Sequence, residues 1–218
     1  MPLPFDTITA PTAVTVAPGA VWLRGWLTQD EQQALVARCR QFMDGPAGGY
    51  VPTVRGGGTM RVRMTCLGRH WNARTYTYEA TRGDHDGQPV EAVPEEFAAL
   101  AARLAAEAGF SMRADICLIN WYGADGRMGL HQDKDESQVS IASGAPVVSV
   151  SLGDSARFLF GGTRRRDPVE TLWLESGDVF VFGGPARLRY HGVTRILPGS
   201  ASPELGIEGR FNLTFRQF

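Results

Sequence analysis

Apolar residues recur along this chain with two different periods, and the change falls near residue 109. Before it, Leu35, Val36, Cys39 and Phe42 share one side of a helix expected near residues 29–43, with Thr28 or Asp30 placed to cap its first turn. A second helical pattern, Phe97, Leu100, Ala101 and Leu104, opens at Pro94 and runs over 94–108, with Gly109 as its stop. Beyond it come short runs rich in β-branched and aromatic residues: ICLINWY, PVVSVSL, ARFLFG, TLWLE, DVFVFG, RLRYHGV and RFNLTFRQF. Many short strands at close spacing predict an antiparallel sandwich or barrel rather than βαβ units. Glu175, Ser176, Gly177 and Asp178 predict a hairpin turn between two of them, and His191 is expected to end the strand RLRYHGV. Residues 44–90, rich in Gly, Arg and aromatics, read as extended surface segments and loops.

Two of these strands carry chemistry on one face. Arg210, Asn212, Thr214 and Arg216 alternate with Phe211, Leu213 and Phe215. A polar face of this kind ordinarily meets water, yet two arginines and an asparagine equally suit a dicarboxylate held by charge-assisted forks. Asn120 and Tyr122 repeat the arrangement. His131 and Asp133 form an H-x-D, and on a strand such residues project from the same side. Two imidazoles and a carboxylate that leave coordination positions open make the facial triad of non-haem Fe(II) oxygenases. Composition alone yields about 0.4 such pairs per chain, so the motif needs company. His70, His85 and His191 are the other histidines; His85 sits in the turn-like GDHDGQP and His191 in the β-rich half. For His191 the ordinary alternative is a hydrogen-bonded core histidine.

Composition narrows the class. The 218 residues, 43% hydrophobic, have room for one all-β domain or two small ones. The formal net charge of −1 exerts no global pull on nucleic acid, but all 22 cationic residues except Lys134 are arginine, whose planar fork suits phosphate and carboxylate. Arginines 55, 61, 63, 69, 74 and 82 crowd one stretch, and Arg164, Arg165 and Arg166 form a second cluster. Cys39, Cys66 and Cys117 lack any CxxC spacing and read as reduced thiols. No apolar run approaches a membrane span, and MPLPFDTITAPTAV lacks the basic start and apolar stretch of a signal peptide, so a cytoplasmic location is expected.

Taken in order, CLINWY, LHQDKDE, PVVSVSLG, FLFGG, GDVFVFGG, YHGV and RFNLTFRQ resemble the AlkB family of Fe(II)- and 2-oxoglutarate-dependent DNA and RNA dealkylases. The resemblance covers 115–218 and extends upstream through TMRVRMTCLGRHW and TYTY, and it is stronger to the bacterial founding member than to distant eukaryotic relatives. It implies a mainly β (α+β) fold in a single domain, 1–218: a double-stranded β-helix (jelly-roll) core over 110–218, supporting N-terminal helices, and a nucleotide-recognition lid over 44–90. It implies His131, Asp133 and His191 as Fe(II) ligands, with Arg210 pairing the distal carboxylate of 2-oxoglutarate. Asn120, Tyr122, Asn212 and Arg216 would complete that pocket. Trp71 would stack on a flipped base, with Tyr76, Asp135 and Arg165 beside it and Arg55, Arg61, Arg63 and Arg74 on phosphates. The implied reaction is oxidative demethylation of 1-methyladenine and 3-methylcytosine in DNA, with RNA as a second substrate, as direct repair of alkylation damage. Formaldehyde is released as 2-oxoglutarate and O2 become succinate and CO2.

The implied partners are single- or double-stranded alkylated DNA, with no membrane, and the implied state is a monomer. These substrates are cationic, which suits an aromatic face and a carboxylate such as Asp135. Two features depart from the family pattern: Trp121 follows Asn120, and the segment DESQVSIASGAP is longer than the pattern has it. Two other readings compete: a 2-oxoglutarate oxygenase of a small molecule or protein, and a non-catalytic metal-binding jelly roll. Asp135 and the basic lid weigh against the first. Arg210 and Arg216 weigh against the second.

Overall fold

A computed structural model describes residues 10–218; of the N-terminal stretch read above, 1–9 lie outside the described residues. Strands β1 (Thr12–Ala17) and β2 (Ala20–Arg24) lead into helix α1 (Gln29–Met43), then β3 (Arg63–Leu67), β4 (His70–Asn72) and β5 (Thr77–Glu79). Helix α2 (Glu95–Glu107) precedes β6 (Ile116–Tyr122), β7 (Met128–His131), a short helix α3 (Gln138–Ser143) and β8 (Val147–Gly153). The chain ends through β9 (Ser155–Phe160), β10 (Glu170–Leu174), β11 (Val179–Phe182), β12 (His191–Leu197) and β13 (Arg210–Arg216).

Both expected helices form. Thr28 caps α1 in a reciprocal box with Glu31, which satisfies two otherwise orphaned N–H groups. Gly109, at φ +79°, follows α2 and takes the left-handed turn that a side chain resists. The departing segment DESQVSIASGAP contains α3, capped by Ser137.

All strand pairs are antiparallel. A seven-stranded sheet runs β1-β2-β11-β8-β13-β6-β3, a four-stranded sheet runs β10-β9-β12-β7, and β4-β5 form a separate hairpin. The alternation of β13 sorts its side chains between two environments. Phe211, Leu213 and Phe215 join Val148, Val150 and Ile119 under Leu35, Val36, Phe97 and Leu104 of the helices. Arg210, Asn212, Thr214 and Arg216 face the space between the sheets and are also buried, so the water-facing alternative fails. Aromatic packing of Phe158, Phe160, Phe180 and Phe182 closes the far end of that space.

Four expectations are corrected. The turn at 175–178 forms, but β10 and β11 belong to different sheets, so it crosses between layers instead of closing a hairpin. Asp178 explains this, because its carboxylate accepts from Glu175 N–H at 2.9 Å and from Gly25 N–H and Trp22 Nε1 on the large-sheet side. His191 begins β12 instead of ending it, since Gly184–Ala186 form a 3-10 turn shortly before it. Asp133 lies beyond the end of β7 and not on the strand with His131. Finally, residues 44–90 are not merely surface: β3 is an edge strand of the large sheet, with Met64 and Cys66 buried beneath the β4-β5 hairpin. The large sheet thus recruits three strands from before residue 110.

Candidate metal and co-substrate centre

The two sheets enclose a cavity of about 570 Å³. Its walls include all twelve residues singled out as iron, co-substrate or base contacts: Trp71, Tyr76, Asn120, Tyr122, His131, Asp133, Asp135, Arg165, His191, Arg210, Asn212 and Arg216.

His131 and His191 sit opposite each other in the β7–β12 register, which sets their rings 4.4 Å apart. Asp133 turns back between them, 3.5 Å from His131 Nε2 and 3.6 Å from His191 Nε2. The outer nitrogens are occupied: His131 Nδ1 donates to Gly129 O at 2.9 Å and His191 Nδ1 to Arg189 O at 3.1 Å. A carbonyl can only accept, so each Nδ1 carries a proton, and in the neutral ring the lone pair is on Nε2, which faces inward. Asp133 Oδ2 is buried without a hydrogen-bond partner among the described residues. Two imidazole lone pairs and one unsatisfied carboxylate oxygen within 4.8 Å fit a divalent transition metal.

Electrostatics holds these groups in ligand form. Burial pushes the Asp133 carboxyl up, but Arg216, His191 and His131 outweigh it and bring it well below the usual carboxylate range. For His191, burial and then the neighbouring His131 lower the pKa, which favours the neutral imidazole a metal needs. Arg216 Nη2 lies 2.6 Å from Asp133 Oδ1, its Nη1 donates to the Tyr78 hydroxyl, and its Nε lies 3.3 Å from Glu136. Arg187 completes this buried frame, 2.9 Å from Glu136 and donating to the Asp133 carbonyl. Tyr78, Glu136 and Arg187 escaped sequence reasoning; Glu136, within DKDE, carried no signal separating it from its acidic neighbours.

On the large-sheet wall, Arg210 is 1% exposed, and among the described residues no carboxylate forms an ion pair with it. Its Nη2 donates to Ser151 Oγ at 2.7 Å, while Nε and Nη1 have no partner among the described residues. Burial pulls this guanidinium down to about 10, against the smaller raising effects of Tyr122 and Asp178. Asn212 is held by Ser149 Oγ and Val150 O, and buried Asn120 Oδ1 is unpartnered. A buried cation with free donors beside a metal triad is a receptor for an anion. Tyr122, its phenol pushed up to about 12 by burial, stays a neutral donor.

The opposite rim is aromatic. Trp71 Nε1 donates to Asp135 Oδ2 at 2.8 Å, and the Trp71 and Tyr76 rings stand 5.8 Å apart. Tyr76 adopts φ +59°, a strained conformation for a side-chain-bearing residue. Arg165 donates to Leu130 O at the mouth. Of the four arginines expected on phosphates, only Arg55 reaches the cavity, with its guanidinium over Tyr76. Arg61 pairs with Asp125, Arg63 donates to Gly49 O, and Arg74 lies outside the cavity wall. Met60, Met64 and Met128 also line the cavity; no chemical motif marked them.

Comparison with known proteins gives this geometry a context. The family model described as the 2OG-Fe(II) oxygenase superfamily matches residues 19–216. The chain is 40% identical over 228 residues to DNA N(6)-methyladenine demethylase ALKBH1C of Arabidopsis thaliana, covering 95% of this chain and 50% of that protein. It is 41% identical over 216 residues to alpha-ketoglutarate-dependent dioxygenase AlkB of Salmonella typhimurium, covering 95% and 94%. It thus spans about half the length of the plant relative and nearly all of the bacterial one. The solved structure of OsALKBH1 superposes with a TM-score of 0.86 at 38% identity, covering 95% of this chain and 100% of that one.

Proposed function

Starting from the fact that this chain belongs to the 2OG-Fe(II) oxygenase superfamily, we propose that it demethylates N-alkylated bases in nucleic acid, with 1-methyladenine and 3-methylcytosine in DNA as its substrates. The observation that carries this reading is the rim of the cavity: an indole tied to a carboxylate, Trp71 to Asp135, across from the histidine pair. An aromatic face and a half-buried carboxylate together select a flat cation. A base methylated on its pairing edge is both cationic and cheap to extrude from a helix.

His131, Asp133 and His191 would hold Fe(II). Arg210 would take the far carboxylate of 2-oxoglutarate through its two free donors, with Asn120, Tyr122 and Asn212 beside the chain of the co-substrate and Arg216 fixing the carboxylate of Asp133. When bound, the metal with 2-oxoglutarate and O2 supplies the oxidising power: the N-methyl carbon gains a hydroxyl, 2-oxoglutarate becomes succinate and CO2, and the resulting N-hydroxymethyl group leaves as formaldehyde. The protein's own work is positional. Trp71 and Asp135 present the methyl group to the triad, and the aromatic floor of Phe158 and Phe182 keeps water from the reacting face. Arg55 and Arg165, at the cavity mouth, are the arginines placed to meet flanking phosphates.

A second reading comes from the plant relative named for N(6)-methyladenine. That base is neutral, so Asp135 would serve as a hydrogen-bond acceptor and not as a counter-charge. One experiment separates the readings. Oligonucleotides bearing 1-methyladenine, 3-methylcytosine or N(6)-methyladenine are incubated with and without 2-oxoglutarate and weighed. Co-substrate-dependent loss of one CH2 from the first two supports the proposal, loss from the third alone replaces it, and loss from none removes nucleic acid as the substrate. His131→Ala is expected to abolish all such loss in metal-defined buffer.

A further inference from the structure

Two of the four histidines stand outside the cavity, and one of them is completely buried. His70, the first residue of β4, has its Nε2 2.5 Å from Asp84 Oδ1 and its Nδ1 3.3 Å from the Tyr50 hydroxyl. The carboxylate accepts the Nε2 proton, so Nδ1 is left to accept from Tyr50. The second oxygen of Asp84 accepts the Ala73 N–H at 3.2 Å. One carboxylate therefore grips β4 at both ends: by the side chain of its first residue and by the backbone just past its last.

Trp71 lies between those two grips. Alternation along the strand sends its indole into the cavity, while His70 and Asn72 face the other way. Asn72 is fixed as well: its Oδ1 accepts from Arg74 and Thr75 N–H, and its Nδ2 donates to Glu79 at 2.9 Å. Tyr50 stacks on the ring of His85 at 4.4 Å, and His85 Nε2 lies 2.8 Å from Ala47 O, which extends the cluster to the loop after α1. None of His70, Asp84 and Tyr50 touches the cavity. A hairpin of three residues a side has little stability of its own. The indole is held from the cavity side by its bond to Asp135, and the backbone that carries it is held from beneath by this buried polar chain.

We propose that His70, acting with Asp84 and Tyr50, is a positioning residue that sets the Trp71 ring as the ceiling of the base slot. The proposal rests on reading Trp71 as the surface on which the base stacks. Without the His70–Asp84 link, β4 loses the grip on its first side chain and the ring samples several orientations. The metal ligands and Arg210 lie outside the hairpin, which reaches that centre only through Tyr78 on β5; among the described residues Tyr78 accepts from Arg216, and it keeps that bond when His70 is replaced.

The test uses full-length protein loaded with zinc and 2-oxoglutarate and labelled with 5-fluorotryptophan, the Trp71 line being assigned by Trp71→Phe. A single narrow 19F line is expected for the parent and a broadened or split line for His70→Ala. In iron-loaded protein, His70→Ala is expected to raise KM for a 1-methyladenine oligonucleotide about tenfold with kcat nearly unchanged, the signature of lost substrate binding. Succinate formed without nucleic acid is expected to stay at the parent level, and His70→Gln, which keeps a donor toward Asp84, to restore most of the KM. An unchanged Trp71 line with unchanged KM overturns the proposal, as does a loss of nucleic-acid-independent succinate in step with the rise in KM. If His70→Ala does not fold, Asp84→Asn, nearly identical in shape, is expected to broaden the same line, and a narrow line there overturns it. If the parent acts on no methylated oligonucleotide, the functional reading fails, while the 19F line still decides the anchor.

Discussion

At the scale of single residues, Arg210 shows what burying a charged group with unpartnered donors costs. A buried guanidinium with two donors unpartnered among the described residues carries a desolvation penalty that an anion placed against them would relieve. Replacing it with an apolar chain of similar length removes penalty and receptor together. Arg210→Met is therefore expected to leave the ligand-free protein as stable as the parent, or more so, while raising the 2-oxoglutarate requirement by about one to two orders of magnitude. That range follows from roughly 1.5–3 kcal/mol for a hydrogen bond to a charged group. Thermal unfolding of the ligand-free protein and succinate formation against 2-oxoglutarate concentration are the two measurements. Unchanged co-substrate dependence would take Arg210 out of its assigned place. Arg216 differs in kind: Asp133 and Glu136 already neutralise it, the Tyr78 hydroxyl accepts from it, and burial notwithstanding, its pKa is raised. The sequence presents the two arginines as equals on one strand face; only the fold separates a receptor from a brace.

At the scale of elements, the metal site depends on how closely β7 approaches β12. Gly192, directly after His191, sits so near the facing strand that a Cβ there would come within 2.7 Å of Met128 O and 3.0 Å of Gly129. These are backbone atoms, which cannot swing aside as a side chain would. Gly192→Ala is thus expected to push β7 outward and separate His131 from His191 while the protein stays folded. Affinity for a divalent metal, read by calorimetry with Mn(II), is expected to fall at least about tenfold, in line with changes that misplace ligands. Parent-like affinity would show that the strands have slack the packing does not reveal. The same elements mark where sequence reading stopped. α1, α2 and β13 were legible because each announces itself by local periodicity, with a cap at Thr28 and an unbroken alternation from Arg210 to Arg216. The start of β12 was not, because Arg187, Arg189 and Tyr190 look strand-like locally but are committed to Glu136, Gly161 O and Gly162 O far along the chain. The His70–Asp84 link was hidden for a related reason: across 14 residues, no period connects its two halves.

At the scale of the whole molecule, the centre joins two layers that otherwise meet mainly through apolar side chains. His131 and His191 come from the four-stranded sheet, Arg210 and Arg216 from the seven-stranded one, and Asp133 leans on both by its histidine and arginine contacts. A metal and a dicarboxylate seated there would bind the folded chain and not the unfolded one, so each must add to stability by mass action. At one hundred times the dissociation constant the gain is about 2.7 kcal/mol per ligand. For a domain of this size each kcal/mol raises Tm by roughly 2–4 °C. A redox-inert divalent ion such as Mn(II) is therefore expected to raise Tm by several degrees, and 2-oxoglutarate to raise it further only once the metal is present. The two increments are expected to separate by variant, since His131→Ala should lose both, whereas Arg210→Met should keep the first and lose most of the second. A metal-dependent rise surviving in His131→Ala would place the ion elsewhere. A co-substrate rise surviving in Arg210→Met, or appearing without metal, would mean that 2-oxoglutarate is held by some other cation and does not bridge the two sheets.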